Sequence, residues 1–169
     1  MVNCHVEMSF LIRCFILVLC LNTGFKTSAQ VVNRVHFYDA LSKADTLKIN
    51  EQLKKISQSS SVDKQAFIGV LQMRKAALVK GLDYKLNLFK SGNKQLEQAI
   101  SKHHSNAEYR FLRLLIQENA PVFLNYRSEV KEDADIVKSA YVKLLVETQN
   151  AILDYCKHSK VLKVEELKK

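Results

Sequence analysis

The stretch from Asp133 to His158, DADIVKSAYVKLLVETQNAILDYCKH, carries the strongest periodic signal in the chain. Its apolar residues recur at steps of three and four, which is the spacing of one face of an α-helix. Acidic residues open the stretch and basic residues close it, as the helix dipole favours. The pattern predicts one continuous helix, roughly 39 Å long at a rise of about 1.5 Å per residue.

Shorter segments with the same period precede this stretch. They run from about Arg34 to Ser42, Asp45 to Ser57, Asp63 to Lys80, Asp83 to Ile100, and Asn106 to the only proline, Pro121. Aspartate or asparagine stands at the start of most of them, where its side chain can cap a helix. Residues Ser91–Asn93 interrupt the fourth segment, either as a tolerated kink or as a turn between two shorter helices.

Glycine and proline are scarce, with four and one in the whole chain, so few signals break the helical segments. We therefore expect an all-α fold built as an array of antiparallel helical hairpins. The array could be a bundle or a short tetratricopeptide-like array. The tryptophan-leucine-glycine signature of tetratricopeptide repeats is absent from the sequence.

The first 29 residues read as a cleavable signal peptide. Arg13 precedes the apolar run Cys14–Leu21, and the small residues Thr27 and Ala29 end the segment. The apolar run is shorter than the roughly 18 to 20 residues that span a bilayer, which argues against a permanent anchor. We expect cleavage before Gln30, and an exported protein that is periplasmic or secreted.

Two details of this leader stay open. Leu17–Cys20 resembles the motif at which bacterial lipoproteins are lipidated, so anchoring at Cys20 is an alternative, although Leu19 is bulky for that motif. Translation that starts at Met8 would give a more compact basic leader. In either case, residues 30–162 are predicted to form a single all-helical domain, and residues 163–169 a charged, frayed tail.

Cleavage would remove three of the four cysteines, which leaves only Cys156 and excludes an intramolecular disulfide. Cys156 lies on the apolar stripe of the last helix, so burial is expected rather than catalysis. The chain carries a net charge of +9, with a basic excess between Lys64 and Arg113. Such a surface attracts polyanions or anionic lipid, although a lysine-rich solvated face explains it as well. Export makes nucleic acid an unlikely partner.

The stretch Asn106–Tyr126, NAEYRFLRLLIQENAPVFLNY, places several polar residues on an otherwise apolar helix. The candidate binding residues are Glu108, Arg110, Arg113 and Tyr126. Arginine's planar fork suits an anion-binding pair in a groove. It equally suits hydrogen bonds that fix the loop Glu118–Pro121 against the next helix, together with Gln117.

The same stretch, with KLNLFKSGNKQLEQAI at Lys85–Ile100 and the leader ending in SAQ, resembles uncharacterised exported helical proteins of Gram-negative bacteria. The resemblance covers most of the chain that follows the leader. It implies an all-helical fold and a periplasmic or extracellular setting. It implies no reaction, so no catalytic residue follows from it.

The sequence contains no phosphate-cradling glycine loop, nucleophile elbow or HExxH zinc motif. The pair His103-His104 and the acidic residues Glu129–Asp135 fit helix ends better than metal sites, so no cofactor or metal is predicted. We expect a non-enzymatic periplasmic interaction module for a protein, peptide or envelope component.

Two other classes of function remain open. One is an enzyme whose site assembles from distant residues such as Glu108, Arg113 and Asp133. The other is a basic protein that binds a membrane surface or a polyanion. After cleavage no membrane span is expected, while peripheral contact with a membrane stays open.

Overall fold

The computed structural model describes residues 32–167, so the predicted leader and the alternative lipidation site at Cys20 lie outside the described residues. Within residues 32–167 the chain is all-helical, as predicted. The helices are α1 (Arg34–Ser42), α2 (Thr46–Ser57), α3 (Lys64–Leu78), α4 (Leu82–Lys102), α5 (Ala107–Asn119), α6 (Val130–Ala140) and α7 (Val146–Cys156). Single 3-10 turns lie at Val122–Leu124, Tyr141–Lys143 and Val164–Glu166. No helix in this part of the chain is long and apolar enough to cross a membrane.

Side-chain caps start three of the helices. Asn33 Oδ1 accepts a hydrogen bond from the His36 amide at the start of α1. Asp45 caps α2 in the same way, and Asn106 caps α5 through the Tyr109 amide at 3.1 Å. Each cap satisfies a backbone N–H that has no partner within its own helix. The cap predicted at Asn106 is therefore confirmed, whereas Asp83, also predicted to cap a helix, lies inside the helix that begins at Leu82.

Helices α3 and α4 form a tight antiparallel hairpin, and two glycines lie where they cross. A Cβ atom on Gly69 would lie 2.6 Å from the Gly92 carbonyl oxygen and 2.9 Å from the Leu96 nitrogen. A Cβ on Gly92 would lie 2.8 Å from Met73 Cγ. The backbones can approach this closely only because neither residue has a side chain. This contact resolves the open question at Ser91–Asn93, because α4 runs through it without a turn.

Helix α5 is the central element, and ten of its thirteen residues are buried. Its Tyr109, Leu112 and Ile116 join the larger hydrophobic core, which the side chains of α1–α4 complete. Its Phe111 and Leu114 join a smaller core with α6, α7 and the residues that follow α7. Because different faces of α5 are covered by different helices, the two cores lie on opposite sides of one helix.

The continuous helix predicted over Asp133–His158 is wrong. Helix α6 ends at Ala140, a 3-10 turn follows, and Leu144 and Leu145 adopt extended backbone conformations before α7 begins at Val146. The periodic apolar residues are divided between two short helices.

Two contacts with α5 explain this break. Asp133 on α6 pairs with Arg113, while Thr148 on α7 donates a hydrogen bond to Glu108 at 2.8 Å. Glu108 and Arg113 are only about 7.5 Å apart along α5, whereas Asp133 and Thr148 would be about 22 Å apart on one straight helix. A single helix cannot make both contacts, so the chain must turn back.

The chain remains packed beyond α7. Leu162 and Leu167 are fully buried in the smaller core. Glu118 at the end of α5 holds this segment, because its carboxylate accepts hydrogen bonds from the Tyr155 hydroxyl, the Ser159 hydroxyl and the Lys160 amide. The packing of the domain thus extends through Leu167, past the boundary predicted at residue 162.

The glycine contact predicts that Gly92→Ala lowers the free energy of unfolding. In an isolated helix this change would be favourable by about 1 kcal/mol. Here the added methyl group collides with α3, and overpacking of this kind costs about 1–3 kcal/mol. Urea unfolding measures the change.

Ser91→Ala is the matched control, because Ser91 is the neighbouring residue of the same helix and is exposed. It should leave the midpoint of unfolding nearly unchanged. If Gly92→Ala were as stable as Ser91→Ala, the close approach of α3 and α4 at this point would be contradicted.

Candidate functional site

Glu108 lies at the centre of a buried cluster that joins three helices to α5. Its carboxylate accepts hydrogen bonds from Arg34 Nε at 3.0 Å and Nη2 at 2.8 Å, and from the hydroxyls of Tyr38 and Thr148, both at 2.8 Å. Arg34 also donates to Asp63 Oδ2 at 2.8 Å. Charged groups that are removed from water need such partners, and here each carboxylate oxygen of Glu108 has at least one.

Asp63 occupies the cap position of α3 but does not cap it. Its carboxylate instead accepts from Arg34 and from the Tyr109 hydroxyl at 2.8 Å. Although burial opposes a charge, hydrogen bonding and attraction to Glu108 and Asp63 raise the pKa of the Arg34 guanidinium above its usual value. The cluster therefore ties α1, the start of α3 and α7 to the start of α5.

A second cluster lies further along α5 and joins it to α6. Arg113 donates to Asp133 from Nε at 2.7 Å and from Nη2 at 2.8 Å, which is a bidentate pair. Its Nη1 donates to Glu97 on α4 at 2.8 Å. Asp133 is completely buried and Arg113 nearly so. Arg110 contacts the same aspartate at 3.3 Å and also donates to the His104 carbonyl.

Tyr126 and Gln117 extend this second cluster. The Tyr126 hydroxyl donates to Glu97 Oε1 at 2.9 Å, and Gln117 Nε2 donates to Glu129 Oε2 at 2.8 Å. The segment that follows Pro121 is thus fastened to α4 and α5 through side-chain hydrogen bonds.

Two tyrosines of these clusters, Tyr38 and Tyr126, have raised pKa values. Burial, with a contribution from Glu108, raises the pKa of Tyr38 well above its usual range. Burial and the charge of Glu97 do the same for Tyr126. In both cases the phenol is held in its neutral form, in which it can donate a proton to a carboxylate.

The four predicted binding residues are therefore divided between two clusters. Arg110, Arg113 and Tyr126 meet around Glu97 and Asp133, while Glu108 belongs to the other cluster with Arg34. Both clusters are ion-paired or hydrogen-bonded within the fold. The grouping of Glu108 with Arg113 and Asp133, which an enzyme site assembled from them would need, is not formed.

A different feature of the structure offers space for a ligand. A cleft of about 910 Å³ opens between the C-terminal halves of α1, α3, α5 and α7 and the start of α4. Buried side chains form its floor, namely Leu41, Met73, Ala76, Phe111 and Ile116. None of the four predicted binding residues lines it.

Charged and polar side chains lie among the apolar lining of the cleft. They are Tyr38, Asp39, Ser42, Arg74, Lys85, Asn119, Asp154, Tyr155 and His158. Two large apolar side chains in the lining, Leu82 and Phe123, are 67% and 75% exposed. Exposed apolar groups beside a concave apolar surface are typical of binding sites.

Sequence reasoning did not single out the lining of this cleft. Most of its residues follow the helical period and resemble ordinary core positions. One signal was present, since Arg74 lies four residues from both Val70 and Leu78 on an otherwise apolar face of α3. The cleft itself depends on how five helices pack, which no local pattern contains.

Cys156 is buried, as predicted, and burial raises the pKa of its thiol. His103 lies at the end of α4, in the position expected of it. Within residues 32–167, no group of three or more histidine, cysteine or carboxylate side chains is arranged to hold a metal ion.

Comparisons of this chain with protein-family models, with curated proteins and with solved structures find no match. The resemblance to exported helical proteins of Gram-negative bacteria therefore stays a prediction.

The buried pair predicts that Arg113→Met strongly destabilises the fold. The change leaves Asp133 buried without its main partner, which typically costs about 3–5 kcal/mol. Replacing both residues, as in Arg113→Met with Asp133→Leu, should recover part of this loss because the fully buried carboxylate is removed together with its main partner. Urea unfolding of the two variants measures both effects.

The exposed pair Lys55 and Glu51 provides the control, because an ion pair in water contributes little. Lys55→Met should unfold at nearly the same urea concentration as the wild type. A similar small effect for Arg113→Met would show that the buried cluster does not stabilise the fold.

The raised pKa of Tyr126 predicts a loss of stability at high pH. The unfolded chain releases this proton near pH 10, whereas the folded protein retains it. The contribution is therefore fully present below pH 10 and decreases as the pH rises above it. Between pH 9 and pH 11 the wild type should lose up to about 1.4 kcal/mol more than Tyr126→Phe.

Unfolding free energies measured at both pH values test this difference. Tyr84→Phe, which changes a half-exposed tyrosine, is the control and should follow the wild type. Identical losses in the wild type and Tyr126→Phe would contradict the hydrogen-bonded, buried phenol.

Proposed function

We propose that this chain is an exported, non-enzymatic helical module that binds an apolar ligand of the cell envelope in the cleft. The observation that carries the proposal is the cleft itself. Its volume of about 910 Å³ lies in the range of pockets that enclose small ligands. Export rests on the leader sequence and on the resemblance stated above.

The lining supports an apolar ligand. The floor consists of buried apolar side chains, and the apolar side chains of Leu82 and Phe123 are largely exposed beside it. Burial of apolar surface stabilises a complex by roughly 25 cal/mol per Å². An apolar ligand in this cleft would remove both its own apolar surface and that of the cleft from water.

The hydrogen bonds in the cleft favour binding over catalysis. The Ser42 hydroxyl donates to the Asp39 carbonyl, and the Tyr155 hydroxyl donates to Glu118. The Tyr38 hydroxyl likewise donates to Glu108. Glu108 and Glu118 lie outside the lining, so among the described residues that line the cleft no hydroxyl is paired with a base inside it. Nucleophilic catalysis requires such a pair.

Binding of a neutral alkyl probe, such as 1-decanol, tests the proposal by calorimetry. Ala77→Phe would fill part of the cleft, because Ala77 lines it and is exposed. We expect 1-decanol to bind the wild type and to bind Ala77→Phe at least about tenfold more weakly. The added ring would displace part of the alkyl chain, and a loss of about 1.4 kcal/mol of binding free energy lowers the affinity tenfold.

Ala44→Phe is the matched control, because Ala44 is exposed and lies outside the cleft. It should bind the probe as the wild type does. Equal affinity of Ala77→Phe and Ala44→Phe, or no binding of the probe to the wild type, would refute the cleft as the binding site.

A further inference from the structure

The charged groups of the cleft indicate which class of apolar ligand it accepts. Two acidic residues, Asp39 and Asp154, and two strongly basic residues, Arg74 and Lys85, belong to its lining. Each acidic residue is paired with at least one lysine, whereas neither Arg74 nor Lys85 is paired with a carboxylate of residues 32–167. This asymmetry leaves the cleft with an unmatched positive charge.

The carboxylate of Asp39 is neutralised by two lysines outside the cleft lining. Lys43 Nζ lies 2.5 Å from Oδ1, and Lys48 Nζ lies 2.7 Å from Oδ2. These hydrogen bonds lower the pKa of Asp39 to about 2, so its charge is present and matched at neutral pH. Asp154 is paired with a single lysine outside the lining, Lys157, at 2.7 Å.

Arg74 is held in place but keeps its charge available. Its Nε donates to the Leu41 carbonyl at 2.9 Å, and the residue is half-buried. No carboxylate of residues 32–167 lies within ion-pairing distance of its guanidinium or of the ammonium group of Lys85. A hydrogen bond through Nε orients the guanidinium plane while the two terminal nitrogens stay free for an anion.

We propose that the cleft binds a single-chain amphiphile with a carboxylate head group, of the fatty-acid class. This inference rests on the proposed function and adds the head group and the residues that recognise it. The alkyl chain lies on the floor formed by Met73, Phe111 and Ile116, and the carboxylate is bound by Arg74 and Lys85.

A carboxylate fits this charge pattern better than a phosphate does. The terminal nitrogens of an arginine can donate two parallel hydrogen bonds to the two oxygens of a carboxylate. A doubly charged phosphate would also lose more hydration on entering this largely apolar cleft, because the cost of removing an ion from water rises with the square of its charge. An apolar peptide would leave the charges of Arg74 and Lys85 unmatched.

The first measurement compares ligands that differ either in the length of the alkyl chain or in the charge of the head group. Octanoate, decanoate and dodecanoate below their micelle concentrations should bind with about fourfold higher affinity for each added methylene group. Decanoate should bind at least about tenfold more tightly than 1-decanol, because a charge-assisted hydrogen bond replaces a neutral one. Decylammonium should bind more weakly than 1-decanol.

The second measurement compares variants with decanoate and with 1-decanol. Arg74→Gln and Lys85→Gln should each lower the affinity for decanoate, by about tenfold or more for Arg74→Gln, and should change the affinity for 1-decanol much less, because only decanoate carries a charge. The 1-decanol result shows whether a variant still has an intact cleft. Lys90→Gln is the control, because Lys90 lies on the same helix as Lys85, is exposed and does not line the cleft.

The outcomes separate the two proposals. If 1-decanol binds but decanoate gains nothing over it, or if Arg74→Gln and Lys85→Gln both bind decanoate as the wild type does, the head-group assignment is wrong while the apolar cleft stands. If no alkyl ligand binds, both proposals fail. Tighter binding of dodecyl phosphate than of dodecanoate, or displacement of decanoate only by an apolar peptide, would also overturn the fatty-acid assignment.

Discussion

The pairing of buried charges along α5 is the interaction on which the rest of the structure depends. Burying an arginine and an aspartate costs several kcal/mol per ion unless each keeps a partner. Arg113 and Asp133 meet this requirement with two hydrogen bonds, and Glu108 meets it with Arg34. These pairs fix where α1 and α6 can lie against the central helix, because displacement of either would leave a charge buried alone, and the Thr148 hydroxyl ties α7 to the same Glu108 carboxylate.

Helix α5 contributes to both the scaffold and the cleft, but with different residues. The first two turns of α5 carry Glu108, Arg110 and Arg113, the charged side chains that hold the other helices. Its C-terminal half contributes Leu115, Ile116 and Asn119 to the cleft. A polar group that is already paired contributes little to recognition, whereas the unmatched Arg74 and Lys85 leave the cleft open to an anionic ligand. Structural stability and ligand binding can therefore change independently in this molecule.

The sequence predicted those features that depend on neighbours along the chain. The all-helical class, the bounds of α1 and the cap at Asn106 follow from local period and side-chain type. The break between α6 and α7 could not be predicted this way, because it arises when Asp133 and Thr148 both reach α5. The same holds for the cleft, whose lining comes from five helices. Arg113 and Asp133 were recognised as candidates, but a pattern of polar residues cannot tell a ligand site from a buried ion pair.

One measurement tests the division between scaffold and cleft most directly. In a protein labelled with nitrogen-15 and titrated with decanoate, nuclear magnetic resonance reports the backbone amides of the cleft and the arginine Nε–H groups in the same spectra. We predict large shift changes for the amides of Leu115, Ala120 and Ala151 and for Arg74 Nε, and none for Arg113 Nε. Shifts at Arg113 Nε with an unchanged cleft would contradict the account, because the buried cluster would then be the binding site.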